Sequence, residues 1–131
     1  MASRKWQQEE GGLDSGIVTL QGSFAPNGAS ALVSTSTKGA GFSVVRTSVG
    51  LFTITLVDKY IGLNEGQCSL QLATADDKIV QFGEIAVSPS ATATIQIRVW
   101  DISGAAVSDI AADANNRIHF ALKLKNSSVI P

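Results

Sequence analysis

The sequence has little of the chemistry that enzymes and metal proteins use. Among its 131 residues there is one histidine, His119, and one cysteine, Cys68. These two cannot make a usual zinc site, and a Ser-His-Asp or Cys-His arrangement would have to be built around His119. A single cysteine also excludes an intrachain disulfide. The sequence therefore predicts a protein that is not an enzyme, with no catalytic residues, no bound metal and no cofactor.

Charge is also scarce. Charged residues make up 16% of the chain and the formal net charge is -1, whereas soluble proteins average about a quarter charged residues. Lysines and arginines are scattered, so no basic patch predicts binding to nucleic acid. Broad, weakly charged surfaces are easier for a protein partner to cover than heavily charged ones.

Long apolar runs are missing. No stretch approaches the roughly 20 apolar residues that span a bilayer, and the first ten residues are polar, without the apolar run of a signal peptide. These features predict no membrane partner and synthesis in a cytoplasm.

Carboxylates are the one remaining source of metal or acid-base chemistry. Asp76 and Asp77 form one group, and Asp101, Asp109 and Asp113 form another. Their spacing matches no calcium loop, and all of them fall in predicted turns, where aspartate commonly makes local hydrogen bonds. The pattern therefore favours structural aspartates over a metal site.

Residues 1–15 predict a flexible N-terminal arm. This stretch is polar, shows no strand alternation, contains two consecutive glycines and is too short and uncapped for a stable isolated helix. Trp6 stands alone in it, next to Arg4 and Lys5. An isolated tryptophan is a natural anchor for a pocket, so the arm is either a frayed terminus or a tether that orders on a neighbouring subunit through these three residues.

Residues 16–131 predict one β domain. β-branched and aromatic residues alternate with polar ones at the period of a half-buried strand, and turn residues separate the segments. The predicted strands cover residues 17–24, 42–47, 51–56, 67–72, 79–87, 91–100 and 117–125. With residues 105–114 as a loop or short strand, the tally is about seven or eight short strands, which predicts an all-β, antiparallel β-sandwich or jelly roll.

A few residues stand out from this pattern. Cys68 lies on the apolar row of its strand and is predicted to be a core residue. His119 lies on a polar row and is predicted to be solvated or at an interface. Trp100 shares a row with Arg98, and Tyr60 lies in the connection over residues 58–66. Trp100 and Tyr60 are therefore candidates for contact with a partner.

Four segments carry a resemblance to a known family. Residues 50–56 (GLFTITL), 100–106 (WDISGAA), 116–120 (NRIHF) and 126–128 (NSS) resemble small structural proteins of tailed bacteriophages, above all head decoration (cement) proteins of jelly-roll type. The resemblance spans about residues 42–128 and consists of turn and strand residues rather than a chemical signature.

The resemblance implies a structural virion protein on the capsid surface. Its partners would be the major capsid protein, at junctions between capsid subunits, and itself, as a dimer or trimer, with no catalytic residues to carry over. Two alternatives stay open. One is another virion component, such as a head-fibre base, tail or collar protein. The other is a carbohydrate-binding jelly-roll module, which would need exposed aromatic residues.

Overall fold

The computed structural model describes residues 17–125 and contains two antiparallel β-sheets packed face to face. The predicted all-β sandwich is thus confirmed. Residues 1–16 and 126–131 lie outside the described residues, and with them the predicted arm, its residues Arg4, Lys5 and Trp6, and the last of the four resembling segments.

Eight strands follow one another along the described chain, with a short 3-10 turn at Ser34–Ser36 between the first two. They are β1 (Ile17–Phe24), β2 (Phe42–Ser48), β3 (Leu51–Leu56), β4 (Gly62–Gln71), β5 (Lys78–Ser88), β6 (Ala91–Asp101), β7 (Ala106–Val107) and β8 (Arg117–Lys125).

The smaller sheet has the strand order β1-β8-β4. The first and last strands pair without a register shift, from Ile17 opposite Lys125 to Phe24 opposite Ile118. The larger sheet has the order β2-β3-β6-β5, and β7 pairs with the end of β6. Its two hairpins, β2-β3 and β5-β6, are joined through the pairing of β3 with β6.

The core lies between the sheets and is built by the inward rows of four strands. Fully or almost fully buried hydrophobic side chains come from β1, β3, β6 and β8, namely Phe24, Phe52, Ile54, Leu56, Ala93, Ile95, Ile97, Val99, Ile118, Phe120, Leu122 and Leu124. Phe24 and Phe52 pack with their ring centroids 5.0 Å apart, and Phe42 meets Phe120 edge to face at 4.9 Å. Each such large side chain contributes roughly 1.5–3 kcal/mol by leaving water.

The long connection between β6 and β8 is held to the sandwich by an ion pair. Arg46 on β2 donates to both carboxylate oxygens of Asp109, from Nε at 3.1 Å and from Nη2 at 2.7 Å. The backbone N–H of Gly50, in the β2-β3 turn, donates to Asp109 Oδ1 at 2.9 Å. One carboxylate therefore joins the connection to both the strand and the turn.

Two further side chains anchor loops. Asn116 is buried; its Oδ1 accepts from the Ala73 N–H (2.8 Å) and its Nδ2 donates to the Ala111 carbonyl (3.0 Å). Arg117 on β8 donates to Ser23 Oγ at 2.9 Å and to the Ser36 carbonyl at 2.6 Å. The second anchor fastens the loop before β2 against β1.

The prediction was wrong at the start of β4. The strand begins at Gly62, not at residue 67, so the expected connection over residues 58–66 is partly strand. A register shift between Leu63 and Glu65 interrupts the pairing with β8. This irregularity breaks the alternation from which the strand was predicted. Residues 105–114, by contrast, are loop with a short strand, as expected.

Candidate functional site

The outer face of the five-stranded sheet is a broad, weakly charged surface. Because alternate residues of β3 and β6 point into the core, the residues between them face solvent. Towards one end these are short polar residues, such as Ser43, Thr55 and Thr94, which lie side by side across the sheet. Among the regularly paired outward positions within residues 17–125, Arg98 is the single charged residue.

The other end of this face is apolar. Strand register places Ile79 on β5, Trp100 on β6 and Val107 on β7 in one row across the sheet. Ile79 is 44% exposed and Val107 39% exposed, while Trp100 is half-buried. Two further exposed residues, Val49 in the β2-β3 turn and Ile102 after β6, border the same row. These five residues are called the apolar end.

The turn that carries Val49 is fixed next to this row. The Val99 N–H donates to the Gly50 carbonyl at 2.7 Å, and the Ser108 N–H donates to the Val99 carbonyl at 3.2 Å. The turn and the β7 segment therefore flank the same residue of β6. These hydrogen bonds hold the turn with Val49 and the segment after β7 against β6.

Trp100 is held in place by its neighbour on the same row of β6. The guanidinium carbon of Arg98 lies 4.9 Å from the indole ring centroid, within cation–π distance. The Gln81 amide, turned so that its oxygen faces the guanidinium group, accepts from Arg98 Nε at 2.9 Å and from Nη2. A tryptophan fixed in this way loses little side-chain entropy when a partner covers it.

The outer face of the three-stranded sheet has a different character. β8 presents Arg117, His119, Lys123 and Lys125 on its outward row. His119 Nε2 and Gln71 Oε1 are 2.9 Å apart in a hydrogen bond. His119 is thus partly exposed on a polar row, as predicted.

A shallow depression of about 280 Å³ lies on this second face. The polar side chains around it are Gln21, Gln67, Ser69 and His119, and Ala121 forms part of its floor. Amides, a hydroxyl and an imidazole can donate and accept hydrogen bonds, so the depression suits a neutral polar ligand rather than an ion.

The two strongest carboxylate candidates act within the fold. Hydrogen bonds from the Ser103 hydroxyl and the Gly104 N–H, together with nearby Lys78, lower the pKa of Asp101, which closes the turn after β6. The hydrogen bond from Arg46 lowers the pKa of Asp109. Both carboxylates are therefore stabilised as anions by local partners.

Asp113 and Asp76 are also turn residues with local contacts. Asp113 accepts from the Asn115 N–H, and Asp76 accepts from the Asp77 N–H and pairs with Lys78 Nζ at 3.2 Å. Within residues 17–125, no three His, Cys, Asp or Glu side chains come together as a potential metal site. Local hydrogen bonds and ion pairs explain why these aspartates occur in turns of this fold.

Two residues singled out in the sequence are half-buried or buried. Tyr60 is 5% exposed and belongs to the core cluster, so a direct contact of its side chain with a partner is not supported. It lies just before β4, where the chain crosses from one sheet to the other, and its ring turns inward. Burial, and to a lesser degree Asp58, raises the pKa of its hydroxyl. Cys68 packs partly against the core, and burial raises the pKa of its thiol.

Trp100 is the predicted contact residue that lies on the candidate surface. Sequence reasoning did not identify Ile79 and Val107 as its neighbours. Ile79 and Val80 are both apolar, so the pattern alone does not say which of them faces outward. Val107 joins the row only because β7 pairs with β6, a contact across a turn that periodicity does not reveal.

Comparisons with protein-family models, with curated proteins and with solved structures gave no match to this chain. Within residues 17–125 there is no helix with the length and apolar character to cross a bilayer. The function of this chain is therefore inferred from its two sheet faces and from the sequence resemblance.

Proposed function

We propose that this chain is a structural virion protein that binds the outer surface of a phage capsid and stabilises junctions between major capsid subunits, without catalysis. The observation that supports it is the outer face of the five-stranded sheet, which has an exposed apolar end around Trp100. Within residues 17–125, Arg98 is the one charge among its regularly paired outward positions. The choice of a capsid as partner comes from the resemblance of residues 50–56, 100–106 and 116–120 to head decoration proteins.

The dimensions of this face fit a protein interface. Four strands spaced about 4.8 Å apart, each running for about 25 Å, cover roughly 400–500 Å² in projection. The accessible area buried there would exceed the projection and approach the roughly 800 Å² per partner of a standard interface. The apolar end would supply the central contacts, and the threonine-rich part would supply a polar rim.

A rigid β domain across a subunit junction would stabilise the shell through mass action. Contacts that exist only in the assembled shell lower the free energy of that state relative to free subunits. Because many copies act on one shell, each contact can be weak. Trp6, Arg4 and Lys5 of the arm would extend the contact area of each copy, and the arm would order only on the formed shell.

Paired valine substitutions test the surface directly. Val107→Asp places a carboxylate in the apolar end, whereas Val33→Asp places the same group at another exposed valine, in the loop before β2. We expect Val107→Asp to lower occupancy on intact heads at least tenfold, and Val33→Asp to bind like the natural chain. The measurement is cosedimentation of purified chain with intact and with disassembled heads of the phage that encodes it.

Three outcomes would contradict the proposal. Equal binding of both variants would remove the apolar end from the interface. Equal binding to intact and disassembled heads would argue against junctions, and binding confined to tails or fibres would favour another virion component. Circular dichroism of both variants checks that neither loss reflects unfolding.

The depression on the three-stranded sheet favours a second candidate, a carbohydrate-binding module. Its hydrogen-bonding side chains suit hydroxyl groups, but within residues 17–125 no phenylalanine, tyrosine or tryptophan is among its outward-facing lining residues. A glycan array separates the two functions: saccharide binding that Gln67→Ala abolishes and Val107→Asp leaves intact would support this alternative.

A further inference from the structure

The sandwich has four edge strands, and they differ in how well they are protected. β1 and β4 are the edges of the smaller sheet, and β2 and β5 are the edges of the larger one. An edge strand presents unpaired N–H and C=O groups that can pair with another strand, and proteins usually block such edges with bulges, charges, prolines or covering loops.

All four edges carry at least one such block, and that of β4 lies near its start, between Leu63 and Glu65. The blocks on the other three edges leave shorter unblocked stretches. β5 has register shifts between Phe82 and Ile85 and again after Ala86. β2 has a shift after Arg46. β1 is covered near its end by the loop before β2, where the backbones of Ser23 and Lys38 exchange hydrogen bonds of 2.9 and 2.8 Å.

β4 is the edge without a block over most of its length. Residues 65–71 pair with β8 in unbroken register, from Glu65 opposite Lys123 to Gln71 opposite Arg117. This stretch has no proline and no lysine, and Glu65 is its single charge. On its other side, within residues 17–125, no strand or loop forms a backbone ladder with it.

The side chains of this edge also suit a second strand. Gln67, Ser69 and Gln71 are exposed on the outer side, while Cys68 and Leu70 on the inner side are only half-buried. β5 lies beneath β4, where a Cβ at Gly66 would be 3.0 Å from Phe82 Cε2. A strand added beside β4 would therefore cover the inner row and meet neutral polar groups on the outer side.

We propose that a second copy of this chain pairs antiparallel along residues 65–71 of β4, forming a two-fold dimer with a continuous six-stranded sheet. A two-fold axis perpendicular to the sheet keeps inner side chains on the inner side of both copies. The register with the longest overlap places Cys68 opposite Cys68 of the second copy and Gln67 opposite its Ser69.

This arrangement leaves both five-stranded sheets uncovered and on the same side of the dimer. Two outer faces would then be available to one large partner, which raises avidity without any new contact. The dimer itself does not depend on the capsid proposal, because it forms between free copies in solution.

Charge placed on the edge tests the dimer. The variant Gln67→Lys with Ser69→Lys brings lysines of the two copies opposite one another, where like charges repel. The matched control is Thr19→Lys with Gln21→Lys, two exposed outward residues on β1 of the same sheet. In sedimentation velocity of the full chain, we expect a concentration-dependent dimer for the natural chain and the control, and a monomer for the β4 variant.

A charge-swap mixture and the native cysteine sharpen the test. Mixing the lysine variant with Gln67→Glu plus Ser69→Glu should restore a dimer. Mild oxidation should link two natural chains through Cys68, because opposite residues of antiparallel strands have Cα atoms about 4.5–5.5 Å apart, within the range of a disulfide. Neither the lysine variant alone nor Cys68→Ser should form this link.

Results that would contradict the dimer can be distinguished from a failure to bind heads. A natural chain that stays monomeric, or a dimer that the β1 control disrupts as much as the β4 variant, would overturn the proposal. A dimer without the Cys68 link would overturn the register. Failure to bind heads, with the dimer intact, would contradict the proposed function alone.

Discussion

At the scale of single residues, two glycines share a backbone conformation but differ in their surroundings. Gly28 has φ of 59° and Gly50 has φ of 63°, both in the left-handed region. A Cβ at Gly28 would meet no atom within 4 Å, whereas a Cβ at Gly50 would lie 2.7 Å from the Ser108 carbonyl oxygen and 2.8 Å from its nitrogen. Alanine substitutions at the two glycines therefore distinguish the cost of backbone strain from the cost of steric overlap.

We expect Gly28→Ala to lower the free energy of unfolding by about 1–2 kcal/mol, which is the cost of the left-handed conformation for a residue with a Cβ. Gly50→Ala should lower it by about 3 kcal/mol or more, because overlap with backbone atoms adds to that cost. Urea unfolding at equilibrium measures both. Equal losses would mean that the connection carrying Ser108 can move away from the turn.

Asp109 gives the fold a dependence on pH. The hydrogen bond from Arg46 is the main cause of its lowered pKa, and the Gly50 N–H adds to it, while burial acts in the opposite direction. A carboxylate whose pKa is lower in the folded chain stabilises the fold above its unfolded pKa, about 3.9. That contribution is lost as the pH falls through the lowered folded value.

We therefore expect Asp109→Asn to reduce stability at pH 7 and to flatten the decline of the unfolding free energy on acidification below about pH 4. The loss at neutral pH should be about 1–2 kcal/mol, since both partners keep some contact with solvent. Asp113→Asn is the control, because this exposed carboxylate bonds only within its own turn. A pH profile parallel to that of the natural chain would contradict the role of Asp109.

At the scale of strands, the alternation of apolar and polar residues was sufficient to predict strands that pair regularly and bury one side in the core. In β3 and β8 the apolar residues that alternate with polar ones, namely Phe52, Ile54, Leu56 and Ile118, Phe120, Leu122, Leu124, are the buried ones. The β2-β3 hairpin also follows from local signals, since its turn lies between two β-rich runs. Period and turn chemistry are local properties of the sequence, and these elements depend on little else.

Pairings between distant strands could not be predicted in the same way. The contacts of β1 with β8 and of β3 with β6 join segments far apart in the sequence. No local pattern selects one partner over another when every strand has one apolar side. The candidate surface depends on such pairings, because Trp100 gains Ile79 and Val107 as neighbours only through them. Tyr60 was misjudged for a similar reason, since its burial follows from the crossing between the sheets.

At the scale of the molecule, the two outer faces are suited to different tasks. One has an apolar end and, among its regularly paired outward positions within residues 17–125, a single charge, while the other carries several charged residues and a polar depression. The largely unblocked edge, β4, belongs to the second sheet, so pairing along β4 and docking through the five-stranded sheet do not compete for surface. The proposed dimer contact and the proposed docking contact are thus compatible on one chain.

The predicted arm, residues 1–15, can be tested by deletion. β1 begins at Ile17 and pairs over its full length with β8, so removing residues 1–15 takes away no part of the described sheets. We expect the shortened chain to keep its circular dichroism spectrum and unfolding midpoint but to occupy intact heads at least tenfold less. Trp6→Ala should account for much of that loss if the tryptophan is the anchor, because hot-spot contacts concentrate in such side chains. Unchanged occupancy of the shortened chain would remove the arm from the interface and leave the outer face of the five-stranded sheet to carry the binding alone.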